Sequence, residues 1–245
     1  MNNHSVLSCI DGSTFTEAVC EYSSWIANSM DAPLKFLHTV EQSSVPAVTN
    51  LSGAIGLGAS EDLLNELAAV EQTRSGLLVK KGNLMLQAAK KKADAAGVKT
   101  IELRQQKGGL AESLIEMEEQ IRVLVIGIRG TAHESGKSGL GAQLETVIRS
   151  LHKPTLVVNR EFSTPKKIML AYDGSKGSQK ALNMAASSPL FKAIPCHLVY
   201  VGNETTSADK LLEDAAKVLT TAGIETTIAR LSGKADDCLA AYQAE

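Results

Sequence analysis

The residues "VLSCIDGSTFTEAVCEYSSWIA" from Val6 and "IMLAYDGSKGSQKALNMAASSP" from Ile168 follow one plan: an apolar run, then Asp-Gly-Ser, then an amphipathic stretch. Asp11, Gly12 and Ser13 fall on Asp173, Gly174 and Ser175. Such self-similarity limits the chain to folds that use one supersecondary plan twice. Its 245 residues, 44% of them hydrophobic, can fill one large core or two ordinary ones, and the repeat selects two. The polar connection "REFSTPKK" with Pro165 sets the boundary, giving a first domain over 1–160 and a second over 161–245.

The correspondence runs on. "LKFLHTVE" from Leu34 matches "CHLVYVGNE" from Cys196 as a second strand, and Gly97 and Gly223 read as the C-caps of helices that precede a third. Short helices follow Gly109 and Gly233. The first copy then adds "RVLVIG" as a buried fourth strand, a glycine-rich loop, a helix over "AQLETVIRSL" and "PTLVVN" as a fifth strand. Strictly alternating strands and helices predict an α/β fold of doubly wound, open parallel sheets built from right-handed βαβ units. The second copy is expected to be incomplete, with three such units, no glycine loop and no last two strands. Ser13 and Ser175 are expected to cap the helices that follow them. From Gln42 to Lys81 the first copy carries an excursion with a long helical pattern that opens at Ser60-Glu61-Asp62. It would serve as a lid, as a partner surface, or as a solvated cover over one sheet face.

A net charge of −2 and scattered Lys and Arg exclude nucleic acid as a partner, and the one tight basic run, Lys90 to Lys92, reads as a solvated helix face. With no signal-like start and no apolar run of membrane-spanning length, a cytoplasmic location is expected, without membrane association. Cys9, Cys20, Cys196 and Cys238 are scattered and read as buried free thiols, and the five histidines lack ligand spacing. No metal site or catalytic constellation is expected.

The loop after "RVLVIG" contains "SGKS". A Walker A loop places a glycine five residues before its Gly-Lys-Ser, but Thr131 stands there, so the P-loop reading fails. Gly127 and Gly130 at a strand end, with Gly139 and Gly141 before a helix that begins near Ala142, suit a different phosphate cradle. Bare backbone can approach a ligand there, and the helix turns unpaired N–H groups toward an anion. Asp11 and Gly12 would face this loop across the crevice where strand order reverses.

The Asp-Gly-Ser loop, "VIGIRG", "GAQLETVIRSLHKPTLVV" and the duplication together resemble a tandem universal stress protein, over essentially the whole chain. The resemblance implies strand order 3-2-1-4-5. It also implies ATP, with Mg²⁺, as the small phosphorylated ligand: Asp11 and Gly12 near the adenosine, the Val40 backbone at the adenine, and Gly127, Gly130 and Gly141 along the phosphates. In the second copy Asp173, Gly174 and Val201 correspond to the adenosine side. Two departures stand out. Ten residues instead of the family's nine separate Gly130 from Gly141, and Ala142 replaces a hydroxyl residue. One lost hydrogen bond to a charged phosphate costs ~1.5–3 kcal/mol, roughly ten- to a hundredfold in affinity. Two readings follow: a nucleotide-binding stress protein, or a scaffold of the same fold acting through its surfaces. A homodimer is expected through the apolar edge Thr155 to Asn159.

Overall fold

The structure, a computed structural model, describes residues 4–40, 57–128, 142–202 and 206–244. Two compact units divide the chain, Met1–Phe162 and Ser163–Glu245. The first holds β1 (Ser5–Cys9), β2 (Leu34–Val40), β3 (Ile101–Lys107), β4 (Ile121–Gly127) and β5 (Thr155–Val158). They form a parallel sheet in the order β3-β2-β1-β4-β5, the order that the family resemblance implied. Every residue of β1 is buried, which is why "SVLSC" is short and without charge, whereas the flanking β3, "IELRQQK", is half-exposed and polar.

Helices cover both faces. Leu7, Cys9, Leu37, Leu124 and Ile126 pack against Leu114 of α3 (Leu110–Glu116) and Leu144 and Val147 of α4 (Ala142–Ser150). The alternate residues Val6, Ile10, Leu34 and Phe36 are buried on the opposite face. There α1 (Thr16–Met30) and α2 (Leu57–Ala95) lie on the sheet. Among the described residues, the core side chains that α2 supplies come from its C-terminal part, Leu86, Ala89 and Ala93.

The second unit has a parallel sheet β6-β7-β8 from β6 (Ile168–Ala171), β7 (Cys196–Val201) and β8 (Thr226–Leu231). Its helices are α5 (Lys176–Ser187), α6 (Thr206–Thr221) and α7 (Ala235–Ala244). Leu198 and Cys196 pack with Leu212, Ala215, Leu219 and Ile224.

The two units repeat each other closely. Val6 pairs with Leu34 as Ile168 pairs with Cys196, an offset of 162 residues. Gly97 (φ +81°) and Gly223 (φ +82°) end α2 and α6 in the left-handed conformation, and the next N–H, of Val98 or Ile224, reaches back to Ala93 or Leu219. That offset is 126 residues, so the first copy carries 36 more residues between its second strand and this cap.

Two local expectations are corrected. Ser13 does not cap α1: the N-cap is Phe15, with no side-chain bond, because the chain makes a further turn first. Ser13 is buried, and its carbonyl accepts the Thr16 N–H. Ser175 does cap α5, accepting the Ser178 N–H at 3.3 Å. The helix α2 is already formed at Leu57, three residues before the expected cap. The Lys90 to Lys92 run is not wholly a solvated face either, since Lys92 pairs with Glu17 of α1.

All four cysteines are free, and Cys9, Cys20 and Cys196 are buried as expected, but Cys238 is only half-buried because α7 buries none of its residues. Burial, aided by the negative charge of Asp11, pushes the Cys9 thiol up to about 12. Burial likewise takes Cys20 to about 12. Among the described residues no helix is long and apolar enough to cross a membrane, and no cluster of His, Cys, Asp or Glu could hold a metal ion.

Candidate functional site

From β1 the chain winds outward through β2 and β3, then returns to place β4 on the other side of β1. The order therefore reverses between β1 and β4, and in an open α/β sheet the ligand crevice lies beyond the carboxyl ends at that point. Here those ends are Cys9 and Gly127. Asp11 and Gly12 follow the first directly. The Asp11 carboxylate accepts the Ser13 N–H at 3.0 Å and the Thr16 hydroxyl at 3.4 Å, and the Thr16 oxygen in turn accepts the Gly12 N–H at 3.0 Å. This ring of bonds fixes the loop, with Gly12 at φ +80°, a conformation that L side chains resist.

The second unit builds the same loop with a serine. Asp173 accepts the Ser175 N–H at 2.9 Å and the Ser178 hydroxyl at 2.8 Å, and Gly174 lies at φ +78°. The partner hydroxyl sits five residues after the aspartate in both copies, Thr16 and Ser178.

Val40 ends β2, buried, and its carbonyl accepts the Gly108 N–H at 3.1 Å. Gly127 ends β4 paired with Val158 of β5. Gly130, Gly139 and Gly141 lie outside the described residues, and Ala142 is the first residue of α4. Val201 ends β7, half-buried. The structure thus brings Asp11, Gly12, Val40 and Gly127 to the carboxyl end of one sheet, and Asp173, Gly174 and Val201 to that of the other. A model of the universal stress protein family matches residues 2–159.

The chain belongs to the universal stress protein family. It is 36% identical over 242 residues to universal stress protein Slr1230 of Synechocystis sp. (strain ATCC 27184 / PCC 6803 / Kazusa), covering 97% of this chain and 84% of that protein. Its fold is similar to the crystal structure of a universal stress protein from Archaeoglobus fulgidus DSM 4304, with a TM-score of 0.70 at 21% identity, over 100% of this chain and 84% of that one.

In this universal stress protein two residues that sequence reasoning missed press on the aspartate loops. A Cβ on Gly12 would lie 2.7 Å from Met85 Sδ, and one on Gly174 would lie 2.9 Å from Leu211 Cδ1. Met85 and Leu211 each stand twelve residues before the capping glycine of their helix, Gly97 or Gly223. Counting back from the caps would have found both.

The units differ beside those loops. In the second, a cleft of about 430 Å³ is lined by Asp173, Tyr200, Ser207, Lys210, Leu211 and Asp214. In the first, His38 takes the place of Tyr200 at the 162-residue offset, and Gly82 that of Ala208 at the 126-residue offset. There α2 closes tightly on the sheet. A Cβ on Gly82 would lie 2.1 Å from Gln105 Nε2 and 2.4 Å from His38 Cδ2. The buried His38 ring is itself fixed, with Nδ1 at 2.8 Å from the Ile10 carbonyl oxygen.

The second loop makes a pH prediction. Bonds from the Ser175 hydroxyl, the Ser175 N–H and the Ser178 hydroxyl hold the Asp173 carboxyl at about 2, against an ordinary 3.8. Because the folded value lies below the unfolded one, the bonded carboxylate supports the loop above the ordinary range and ceases to do so as pH falls toward 2. Carboxyl NMR is expected to place the Asp173 midpoint near 2, and Ser178→Ala to move it up toward 3.8. An unchanged midpoint in that variant would remove the hydroxyl from the account.

Proposed function

We propose that the protein binds ATP, or a closely related phosphorylated nucleoside, in the crevice beyond β1 and β4 of its first unit, and acts as a nucleotide-responsive stress protein, not as an enzyme. The observation that carries this reading is the convergence at one switch point of Asp11, Gly12, Gly127 and the first turn of α4. Gly12 gives the aspartate loop its left-handed turn, a strand end supplies bare main chain, and a nine-residue helix would offer an anion the unpaired N–H groups of its first turn. Of the residues described, Asp11, Gly12, Val40 and Gly127 suit such a ligand by their place at the carboxyl end of the sheet. Gly127, Gly130, Gly139, Gly141 and Ala142 would hold the phosphates and their Mg²⁺, and Asp11, Gly12 and Val40 the nucleoside. Bound ATP would supply the negative charge that the N–H groups at the start of α4 meet.

The second unit is in this proposal a second copy of the family domain, with the nucleoside side at Asp173, Gly174 and Val201. Supporting it are the repeated strand register, the repeated helix cap and the repeated aspartate loop. The homodimer contact is proposed at Thr155 to Asn159, because β5 ends its sheet, and the location is proposed to be cytoplasmic.

Calorimetric titration of the full chain with ATP and Mg²⁺, with AMP as control, tests the site. One ATP per chain is expected to bind at least about tenfold more tightly than AMP, since each phosphate bond retained by the cradle is worth that much. No saturable heat at high protein concentration would overturn nucleotide binding and favour a scaffold acting through its surfaces.

A further inference from the structure

The N-terminal part of α2 exposes a regular apolar stripe. Leu63, Val70, Leu77 and Leu84 recur at intervals of seven residues. Three of them are the most exposed large hydrophobic side chains among the described residues of the helix: Val70 at 65%, Leu77 at 61% and Leu84 at 72%. Leu67 continues the seam four residues after Leu63, and Arg74 and Lys81 stand at the next two equivalent positions. From Leu63 to Leu84 the stripe is about 32 Å long. A seven-residue apolar repeat is the spacing by which one helix buries its seam against another. In the same helix the core of the unit takes a different set, Leu86, Ala89 and Ala93, so the stripe is not spent on the sheet. Solvated leucines at this spacing call for an apolar partner surface.

Charge identifies the partner. Along the exposed stretch, Glu66 and Glu71 lie toward the N-terminal end and Arg74, Lys80 and Lys81 toward the C-terminal end, all exposed. The helix is thus complementary to itself when reversed. With Leu67 set against the partner's Leu77, and Val70 against the partner's Arg74, the flanking position places Glu66 beside the partner's Lys80 and Lys80 beside the partner's Glu66. A parallel pairing would instead bring Glu66 to the partner's Glu71 and repel. We infer that α2 pairs with α2 of a second copy of this chain as an antiparallel two-helix seam over Leu63 to Leu84. This contact is independent of nucleotide and separate from the β5 edge. The 36 inserted residues thereby carry the helix beyond its sheet to a surface that the second unit's shorter α6 lacks.

The test uses the full-length chain and sedimentation velocity at several concentrations. The parent chain is expected to self-associate, and Leu77→Gln to weaken that association at least about a hundredfold, because each dimer loses two buried leucines. Glu66→Lys and Lys80→Glu are each expected to weaken it about tenfold, since each sets like charges together twice. Mixed in equal amounts, these two variants are expected to recover association as a heterodimer, because every Lys then meets a Glu. Circular dichroism of the variants should match the parent, as all three sites are solvent-exposed. A parent chain that stays monomeric overturns the inference and leaves the stripe to another partner. So does an oligomer that none of the three variants alters, which would point to the β5 edge, or a mixture that fails to recover.

Discussion

Gly82→Ala is expected to destabilise the first unit by about 2 kcal/mol, while Gly76→Ala, six residues earlier in the same helix, is expected to stabilise it by up to about 1 kcal/mol. On propensity alone both changes should help, because alanine loses less backbone entropy than glycine on entering a helix. Space decides the sign. Nothing lies within 4 Å of a Cβ built on Gly76, whereas at Gly82 the new carbon would stand 2.4 Å from His38 Cδ2. The flexible Gln105 could swing away, giving up its 3.2 Å bond to the Val79 carbonyl. The His38 ring cannot do so cheaply, since it is buried and bonded to the Ile10 carbonyl just before the aspartate loop. Relief must therefore come from lifting α2 off the sheet, which also withdraws Met85 from Gly12. Urea denaturation followed by fluorescence of Trp25, the only tryptophan and a residue of α1 in the same unit, reads both variants. Two midpoints shifted in the same direction would show that the close approach at Gly82 does not limit the packing.

Leu212→Ala should have the largest effect on the second unit. Leu212 is fully buried in a core that also contains Leu198, Leu219 and Ile224. Its truncation leaves a leucine-sized hole at a cost of about 2–5 kcal/mol. A unit of this size has a total stability of only about 4–12 kcal/mol. The variant is expected to expose Ser163–Glu245 to proteolysis and to erase slow amide exchange along β7, while Trp25 still reports a folded first unit. Val218→Ala, on the exposed side of the same helix, should change little. Equal protease resistance of Leu212→Ala and the parent chain would mean that this core contributes far less than its burial implies.

The alternation of strands and helices was legible because of two features that side-chain chemistry leaves in a sequence, whereas the order of the strands came only from the family resemblance. Buried central strands such as "SVLSC" and "RVLVIG" are short and rich in apolar residues, and a glycine in the left-handed conformation marks each aspartate loop and helix cap. Placement beyond the strand ends was legible for the same reason. Packing across elements was not. Ser13 looks like a cap, but whether Ser13 or Phe15 precedes the first helical turn depends on a turn that no propensity distinguishes. Met85, His38 and Gly82 meet through tertiary contact between α2 and the sheet, so their roles appear only when the helix register is fixed by Gly97. The heptad of Leu63, Val70, Leu77 and Leu84 was readable in the letters. Its meaning depended on exposure, because the same spacing on a buried helix would be ordinary core.

The burial of the thiols bears on how such a protein could meet oxidative conditions. Peroxides attack thiolates, and burial pushes the Cys9 and Cys20 thiols up to about 12, which leaves little thiolate at neutral pH. Both sulfurs therefore lie beyond the practical reach of oxidants as long as the first unit stays folded. A chain with this chemistry does not spend its own core when a cell becomes oxidised, and it does not record the oxidant there.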